Sequence, residues 1–195
     1  PLQIVKSTFV LNVAEGGSGG ALGNESSGVV TIGNATFFGN VSDAQGAALY
    51  GTASSNFAIR NSTFSDNIAG STGDILYLGG TSHASIGNTI FDGSTTPNAN
   101  CAGNVITSLG HNIDTGQSCL TAVTSVAGDM PLTNPLLGTL SFNGGSLPVL
   151  TTQEPSYNSL AIDHGDATIC AHPSVGNEDE TGTQRPKDAN QTGSL

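Results

Sequence analysis

Four phenylalanines recur at an almost constant spacing along the first half of the chain. Phe9, Phe37, Phe64 and Phe91 are separated by 28, 27 and 27 residues. Three further sets keep this spacing: Ile4, Ile32, Ile59 and Ile86; Asn12, Asn40 and Asn67; and Leu22, Leu49 and Leu76. A period in the twenties that several columns of residues share predicts a solenoid, in which each repeat forms one coil.

The residues within each repeat favour strands over helices. Each repeat has two short apolar segments, for example "TIGNATF" (31–37) and "GAALYG" (46–51), separated by turns rich in Gly, Ser, Asn and Asp. Helical repeats need helix formers through most of their length, and these are scarce here. Strands of about four to six residues punctuated by glycine fit the pattern better. The sequence therefore predicts an all-β chain that folds as a parallel β-helix.

Stacked coils explain why the same residue types return. In a parallel β-helix, equivalent residues of successive coils lie above one another at a spacing of about 4.8 Å. We expect Asn40 and Asn67 to form a side-chain amide ladder at a turn, where each amide bonds the next coil. The predicted internal stacks are Phe9, Phe37, Phe64 and Phe91, and Ile32, Ile59 and Ile86.

The charge of the chain excludes several classes of partner. It has 4 basic and 15 acidic residues, for a net charge of −11. A nucleic-acid-binding protein needs a basic surface, so we expect no nucleic-acid partner. No apolar run approaches the ~20 residues that span a bilayer, so we expect no membrane span in this segment. The chain starts within patterned sequence and without a secretory signal, and we expect it to be a segment of a longer protein.

Four motifs in the second half resemble those of a known bacterial family. They are "SLGHNIDTGQSC" (108–119), "NPLLGTLSFNGG" (134–145), "NSLAIDHGD" (158–166) and "DETGTQRPKDANQTGSL" (179–195). Together with repeats such as "AIRNSTFSDNIAG", they are similar to the choice-of-anchor Q family, although Asn134 replaces the usual Asp of that family. The resemblance implies a right-handed parallel β-helix at the bacterial cell surface, and it implies no known activity.

The three cysteines suggest a bridge and a missing partner. Cys101 and Cys119 flank one loop, where a disulfide would contribute roughly 3 kcal/mol in the loop-entropy model, and two free buried thiols are the alternative. By the resemblance, the partner of Cys170 would follow Leu195. A disulfide would indicate an oxidising compartment, so we expect an extracellular or bacterial cell-surface location.

One short cluster is the best candidate for chemistry. The motif "AIDHGD" brings Asp163, His164 and Asp166 close together, and converging carboxylates are what a glycosidase needs. The alternative is a turn that closes the C-terminal cap, with the aspartates accepting from backbone N–H groups. The remaining histidines, His83, His111 and His172, show no metal-ligand spacing.

The sequence predicts no cofactor, although Ca²⁺ stays open as a ligand. Carboxylates supply the oxygen ligands that Ca²⁺ prefers, but none here lies in an EF-hand loop. The candidate Ca²⁺ ligands are Asp114, Asp163, Asp166, Asp179 and Glu180.

These observations lead to a division of the chain and a leading functional hypothesis. We expect β-helix coils over residues 1–95 and a C-terminal extension and cap, irregular and disulfide-braced, over residues 96–195. The leading hypothesis is a non-enzymatic, adhesin-like surface or appendage protein that docks glycans or neighbouring chains, with head-to-tail self-assembly through residues 1–12. A polysaccharide lyase or glycosidase is the alternative.

A third hypothesis is ice binding through regular threonine rows. Thr8, Thr36 and Thr63 form the start of such a row, but the fourth position is Ile90. The row is therefore short, which weakens this hypothesis.

Overall fold

A computed structural model describes residues 1–93, 100–121, 124–144 and 152–185. These residues are nearly all β, and the strands pair in parallel. The strands are β1 (Leu2–Val10), β2 (Val13–Ala14), β3 (Leu22–Asn24), β4 (Val29–Phe38), β5 (Val41–Ser42), β6 (Leu49–Gly51), β7 (Asn56–Arg60), β8 (Thr63–Ser65), β9 (Ile68–Ala69), β10 (Leu76–Leu78), β11 (His83–Gly87), β12 (Ile90–Asp92), β13 (Cys101–Gly103), β14 (Ile106–Ser108), β15 (Ile113–Asp114) and β16 (Met130–Pro131). A single short helix, α1 (Ala167–Cys170), is present in this part of the chain.

Each coil contributes strands to separate parallel sheets. The first sheet has the order β14-β11-β7-β4-β8-β12-β15-β16, and β1 pairs with β4. The later coils each contribute two consecutive strands to this sheet, such as β7 and β8. The second sheet has the order β13-β10-β6-β3, and the third β2-β5-β9. Neighbouring coils pair in the register of the repeat, so that Ile32 lies beside Ile59 and Ile59 beside Ile86. The prediction of an all-β, parallel β-solenoid is confirmed.

The phenylalanines of the repeat form the central stack of the core. Phe9 and Phe37 have ring centroids 4.6 Å apart, Phe37 and Phe64 4.7 Å, and Phe64 and Phe91 5.4 Å, all with nearly parallel rings. The last three rings are fully buried. In-register pairing of the backbones therefore aligns the side chains, as the repeat predicts.

The asparagines form a ladder at the next turn. Nδ2 of Asn12 donates to Oδ1 of Asn40 over 2.8 Å, and Nδ2 of Asn40 donates to Oδ1 of Asn67 over 2.8 Å. The same oxygens accept from the backbone N–H groups of Asn12 and Asn40. Each amide thus forms hydrogen bonds with polar groups of two coils. Because these groups have partners, the turn can be buried.

A second repeated feature lies in the middle of the first sheet, between the two strands that a coil contributes to it, such as β7 and β8. One residue of each coil adopts the left-handed conformation there, and glycine and asparagine tolerate this conformation best. We call this set the corner column: Lys6, Asn34, Asn61, Asn88 and His111, with φ between 49° and 59°.

A disulfide and a buried carboxylate brace the loop after β15. Cys101 and Cys119 are joined, as predicted, with Cα atoms 5.0 Å apart. Asp114 takes the place that follows Phe91 in the phenylalanine column, and its side chain is fully buried. Its carboxylate accepts from the N–H groups of Gly116 and Cys119 and from the amide of Asn100. The carboxylate therefore ends the column and organises the loop.

Candidate functional site

The C-terminal segment runs along the outside of the solenoid, over the corner column. We call residues 164–180 the strap. The strap crosses the coils in reverse order, so its start contacts the last corner residue and its end contacts the first. The contacts are His111 Nδ1 to the His164 carbonyl (2.7 Å), Asn88 Nδ2 to the Asp166 carbonyl (2.9 Å), Asn61 Nδ2 to Cys170 Sγ (3.2 Å), Asn34 Nδ2 to the Val175 carbonyl (2.9 Å) and Lys6 Nζ to Glu178.

The start of the strap is held by reciprocal hydrogen bonds. Oδ1 of Asn88 accepts from the N–H of Asp166, whose carbonyl accepts in return from Asn88 Nδ2. The Asp166 side chain caps α1 by accepting from the N–H of Ile169. Cys170 at the end of α1 is buried and forms no disulfide with any residue that the structure describes. It accepts from Asn61 and Asn88 instead.

The middle of the strap packs directly against the backbone of the solenoid at a glycine. A Cβ atom on Gly33 would come within 2.1 Å of the carbonyl oxygen of Ser174 and 2.9 Å of its carbonyl carbon. Both Ser174 and the adjacent Val175 are buried. A glycine is therefore required at position 33 for the strap to approach this closely.

We expect Gly33→Ala to displace the strap and to lower the free energy of unfolding by about 1–3 kcal/mol, because backbone atoms cannot yield as a flexible side chain does. Denaturant unfolding and amide exchange at residues 174 and 175 measure the two effects. Gly23→Ala is the matched control, since a Cβ there meets nothing within 4 Å. Equal effects of the two substitutions would show that the close approach has no energetic weight.

The end of the strap places two glutamates on the first two coils. Glu178 pairs with Lys6, and Glu180 accepts from the hydroxyl groups of Thr8 and Thr36, the latter over 2.6 Å. Thr36 is buried under this contact. The threonine row is therefore covered at its start, which removes the regular exposed surface that ice binding requires.

Two neighbouring carboxylates at this end have opposite pKa shifts. Burial raises the pKa of Glu180 to about 7, against the hydrogen bonds from Thr36 and Thr8, and the charge of Asp179 adds to the increase. Burial also acts to raise the pKa of Asp179. Hydrogen bonds from Thr181 and Thr183, and the charge and hydrogen bond of Arg185, outweigh burial and hold this pKa below its usual value.

A cleft of about 230 Å³ lies between the strap and the first sheet. Its walls combine apolar side chains of the sheet with titratable groups of the corner column and of the C-terminal segment, the mixture common in ligand pockets. The residues that give it this character are Ile90, Ile113, His111, Asp163, His164 and Arg185.

The predicted cluster Asp163, His164 and Asp166 lies at one end of this cleft. The side chain of Asp166 caps α1, as the turn interpretation expects, and also lies 3.9 Å from Nε2 of His111. The ring of His164 bonds the carbonyl of Ile162, and Asp163 lines the cleft. The structure thus adds His111 to the cluster, a residue that sequence spacing left isolated.

The candidate Ca²⁺ ligands lie in separate places. The Asp114 carboxylate accepts hydrogen bonds from backbone N–H groups of the disulfide loop. Asp163 lies just before the strap and Asp166 near its start, whereas Asp179 and Glu180 lie at its end. Among the residues that the structure describes, no three acidic, histidine or cysteine side chains are grouped to hold a metal ion. Calcium binding stays a prediction without a located site.

A buried polar pair was not foreseen from the sequence. Asn112 is fully buried, and its backbone N–H and side-chain amide both donate to Oδ1 of Asp129 over 3.0 Å. Asn112 Oδ1 in turn accepts from the N–H of Thr89. The pair continues the polar turn of the earlier coils, and the asparagine in "SLGHN" is the signal that could have indicated it.

None of the helical structure in the described ranges is long and apolar enough to cross a membrane. Comparison with protein-family models, with curated proteins and with solved structures gives no match for this chain. The similarity to the choice-of-anchor Q family therefore stays an inference from the four motifs.

Proposed function

We propose that the chain is a non-enzymatic structural module of an extracellular, adhesin-like surface or appendage protein. The observation that carries the proposal is the strap, because it commits the best catalytic candidates to holding the fold. The Asp166 carboxylate caps α1 by accepting from the N–H of Ile169, and the imidazole of His164 bonds the carbonyl of Ile162. A group that is fixed by structural hydrogen bonds is a poor general acid or base unless substrate replaces those bonds.

The remaining surface suits a scaffold that other molecules contact along its length. The disulfide is compatible with an oxidising environment. The net negative charge of the chain repels polyanions. We propose glycans or neighbouring protein chains as partners, because exposed hydroxyl groups lie in register on successive coils, as those of Ser54 and Thr81 do 2.8 Å apart.

The edge of β1 is the proposed place for assembly. In the described part of the chain β1 pairs only with β4, and Leu2, Val5, Leu11 and Val13 are exposed on this first coil. Unpaired strand edges recruit further strands. We propose that another coil, either of the parent protein or of a second copy, covers this edge.

A carbohydrate-active enzyme is the second candidate, and the cleft is the observation that favours it. His111, Asp163 and Arg185 line one concave surface, so an acid, a base and a cation are within one site. A lyase needs a base beside a cation that stabilises the developing anion.

Measurements of polysaccharide turnover and of the protein's cellular location distinguish the two proposed functions. We expect antibody against the chain to label intact source cells, and we expect no release of reducing ends or unsaturated products from a panel of acidic and neutral polysaccharides. Turnover that is lost in Asp163→Ala and kept in Glu25→Ala, a substitution in an exposed turn, would overturn the structural assignment in favour of the enzyme.

A further inference from the structure

The end of the strap continues into a small hairpin that turns back on itself. Residues 178–185 form it, with an antiparallel bridge between Glu178 and Gln184 and a hydrogen bond from the N–H of Asp179 to the carbonyl of Thr183. We call residues 178–185 the latch; it includes the last three residues of the strap. We propose that the latch is a pH-sensitive fastener that holds the strap on the first two coils while Glu180 is protonated and releases when Glu180 ionises.

Glu180 joins the latch to two coils at once. One carboxyl oxygen accepts from Thr8 of β1 and the other from Thr36 of β4. Among the described residues, the only other side-chain hydrogen bond or ion pair from the latch to these coils is the half-exposed pair between Glu178 and Lys6. Docking of the latch therefore depends chiefly on the buried carboxyl group.

The charges around Glu180 do not neutralise it. On β1 the charged residue is Lys6, which pairs with Glu178, and β4 carries no charged residue. Within the latch, Arg185 bonds Asp179 over 3.1 Å. Both nearby cations are thus engaged by other carboxylates, while Asp179 adds a negative charge beside Glu180.

These surroundings explain why the pKa of Glu180 is raised to about 7, and the raised pKa sets the direction of the effect. A carboxyl group whose pKa is higher in the folded state stabilises that state fully at acid pH, below its unfolded value of about 4.5. This stabilisation is lost as the pH rises through about 7. The opening of the latch should therefore become more favourable as the pH rises.

His172, further back in the strap, acts in the opposite sense. Burial, and then the positive charge of Arg60, lower the pKa of its imidazole. A histidine with a lowered pKa stabilises its contacts above its usual pKa and loses that effect as the pH falls. The response of the latch must therefore be measured locally, apart from the middle of the strap.

Amide hydrogen exchange of the intact chain, corrected for the intrinsic rate at each pH, gives that local measurement. A released hairpin of two short strands is marginally stable in water, so exchange at Asp179 and Arg185 reports the opening of the latch. We expect the opening equilibrium to rise roughly 70-fold between pH 5.0 and 8.5, as the pKa difference implies. Glu180→Gln, which keeps a neutral acceptor, should remove this pH dependence, and the exposed-turn control Glu25→Gln should keep it.

A pH dependence that persists in Glu180→Gln would overturn the proposal, as would its absence in the native chain. Because the variant could disturb the fold, the carboxyl carbon of Glu180 is also followed by NMR titration of the native chain. A midpoint near 7 supports the latch, and a midpoint near 4.5 overturns it.

Discussion

Replacing Phe64 with alanine should lower the free energy of unfolding by about 3–5 kcal/mol. The Phe64 ring is fully buried between the rings of Phe37 and Phe91, at centroid distances of 4.7 and 5.4 Å. Since the hydrogen bonds between β4, β8 and β12 fix the spacing of the coils, the cavity cannot close by moving the coils together. The loss therefore includes both the transfer of the ring and the empty space that it leaves.

Equilibrium denaturation followed by circular dichroism measures this loss. Phe142→Ala is the matched control, because the same side chain is 52% exposed there, and we expect a change within about 1 kcal/mol. A loss for Phe64→Ala as small as that of the control would contradict a close-packed phenylalanine column.

Replacing Asp114 with alanine should cost about 3 kcal/mol or more. The buried carboxylate accepts from the N–H groups of Gly116, Cys119 and Leu120 and from the amide of Asn100. Without it, backbone donors in the disulfide loop and directly after it lose their partner, and each such donor costs roughly 1–3 kcal/mol. The disulfide cannot compensate, because it joins the ends of the loop and provides no acceptor.

The isosteric Asp114→Asn variant isolates the hydrogen bonds from the packing. An amide NH₂ would face a donor where the carboxylate has an oxygen, so we expect Asn to recover only part of the lost stability. Asp66→Asn is the control, since Asp66 is exposed and its left-handed backbone suits asparagine. Full stability of Asp114→Asn in urea denaturation would show that the carboxylate does not organise the loop.

The stacked columns could be predicted because residues one repeat apart in the sequence come into contact in this fold. In a parallel solenoid each residue lies beside its equivalent in the next coil, so a shared spacing in the sequence predicts a neighbour in space. The pairing of Phe37 with Phe64 and the bond between Asn40 and Asn67 follow from this rule alone. The disulfide could be predicted from the sequence for a different reason: its two cysteines flank one short loop.

The strap could not be predicted in the same way. Its contacts join residues far apart in the chain, such as Asn34 and Val175 or Lys6 and Glu178, and no repeated spacing relates the two partners. Asn34 and Asn61 keep the spacing of the repeat within segments that the sequence predicts as strands. That spacing indicates neither their left-handed backbone nor the segment that their amides bind.

The sequence by itself determined the coil, its period, the residues that fill it and the loop that the disulfide closes, because each depends on neighbours in register or on local chain closure. Only the tertiary structure decided that the C-terminal segment returns across all the coils and places Glu180 between Thr8 and Thr36. The ionisation of Glu180 depends on burial and on the charges nearby. Those surroundings come from segments more than a hundred residues apart, so they exist only once the chain is folded.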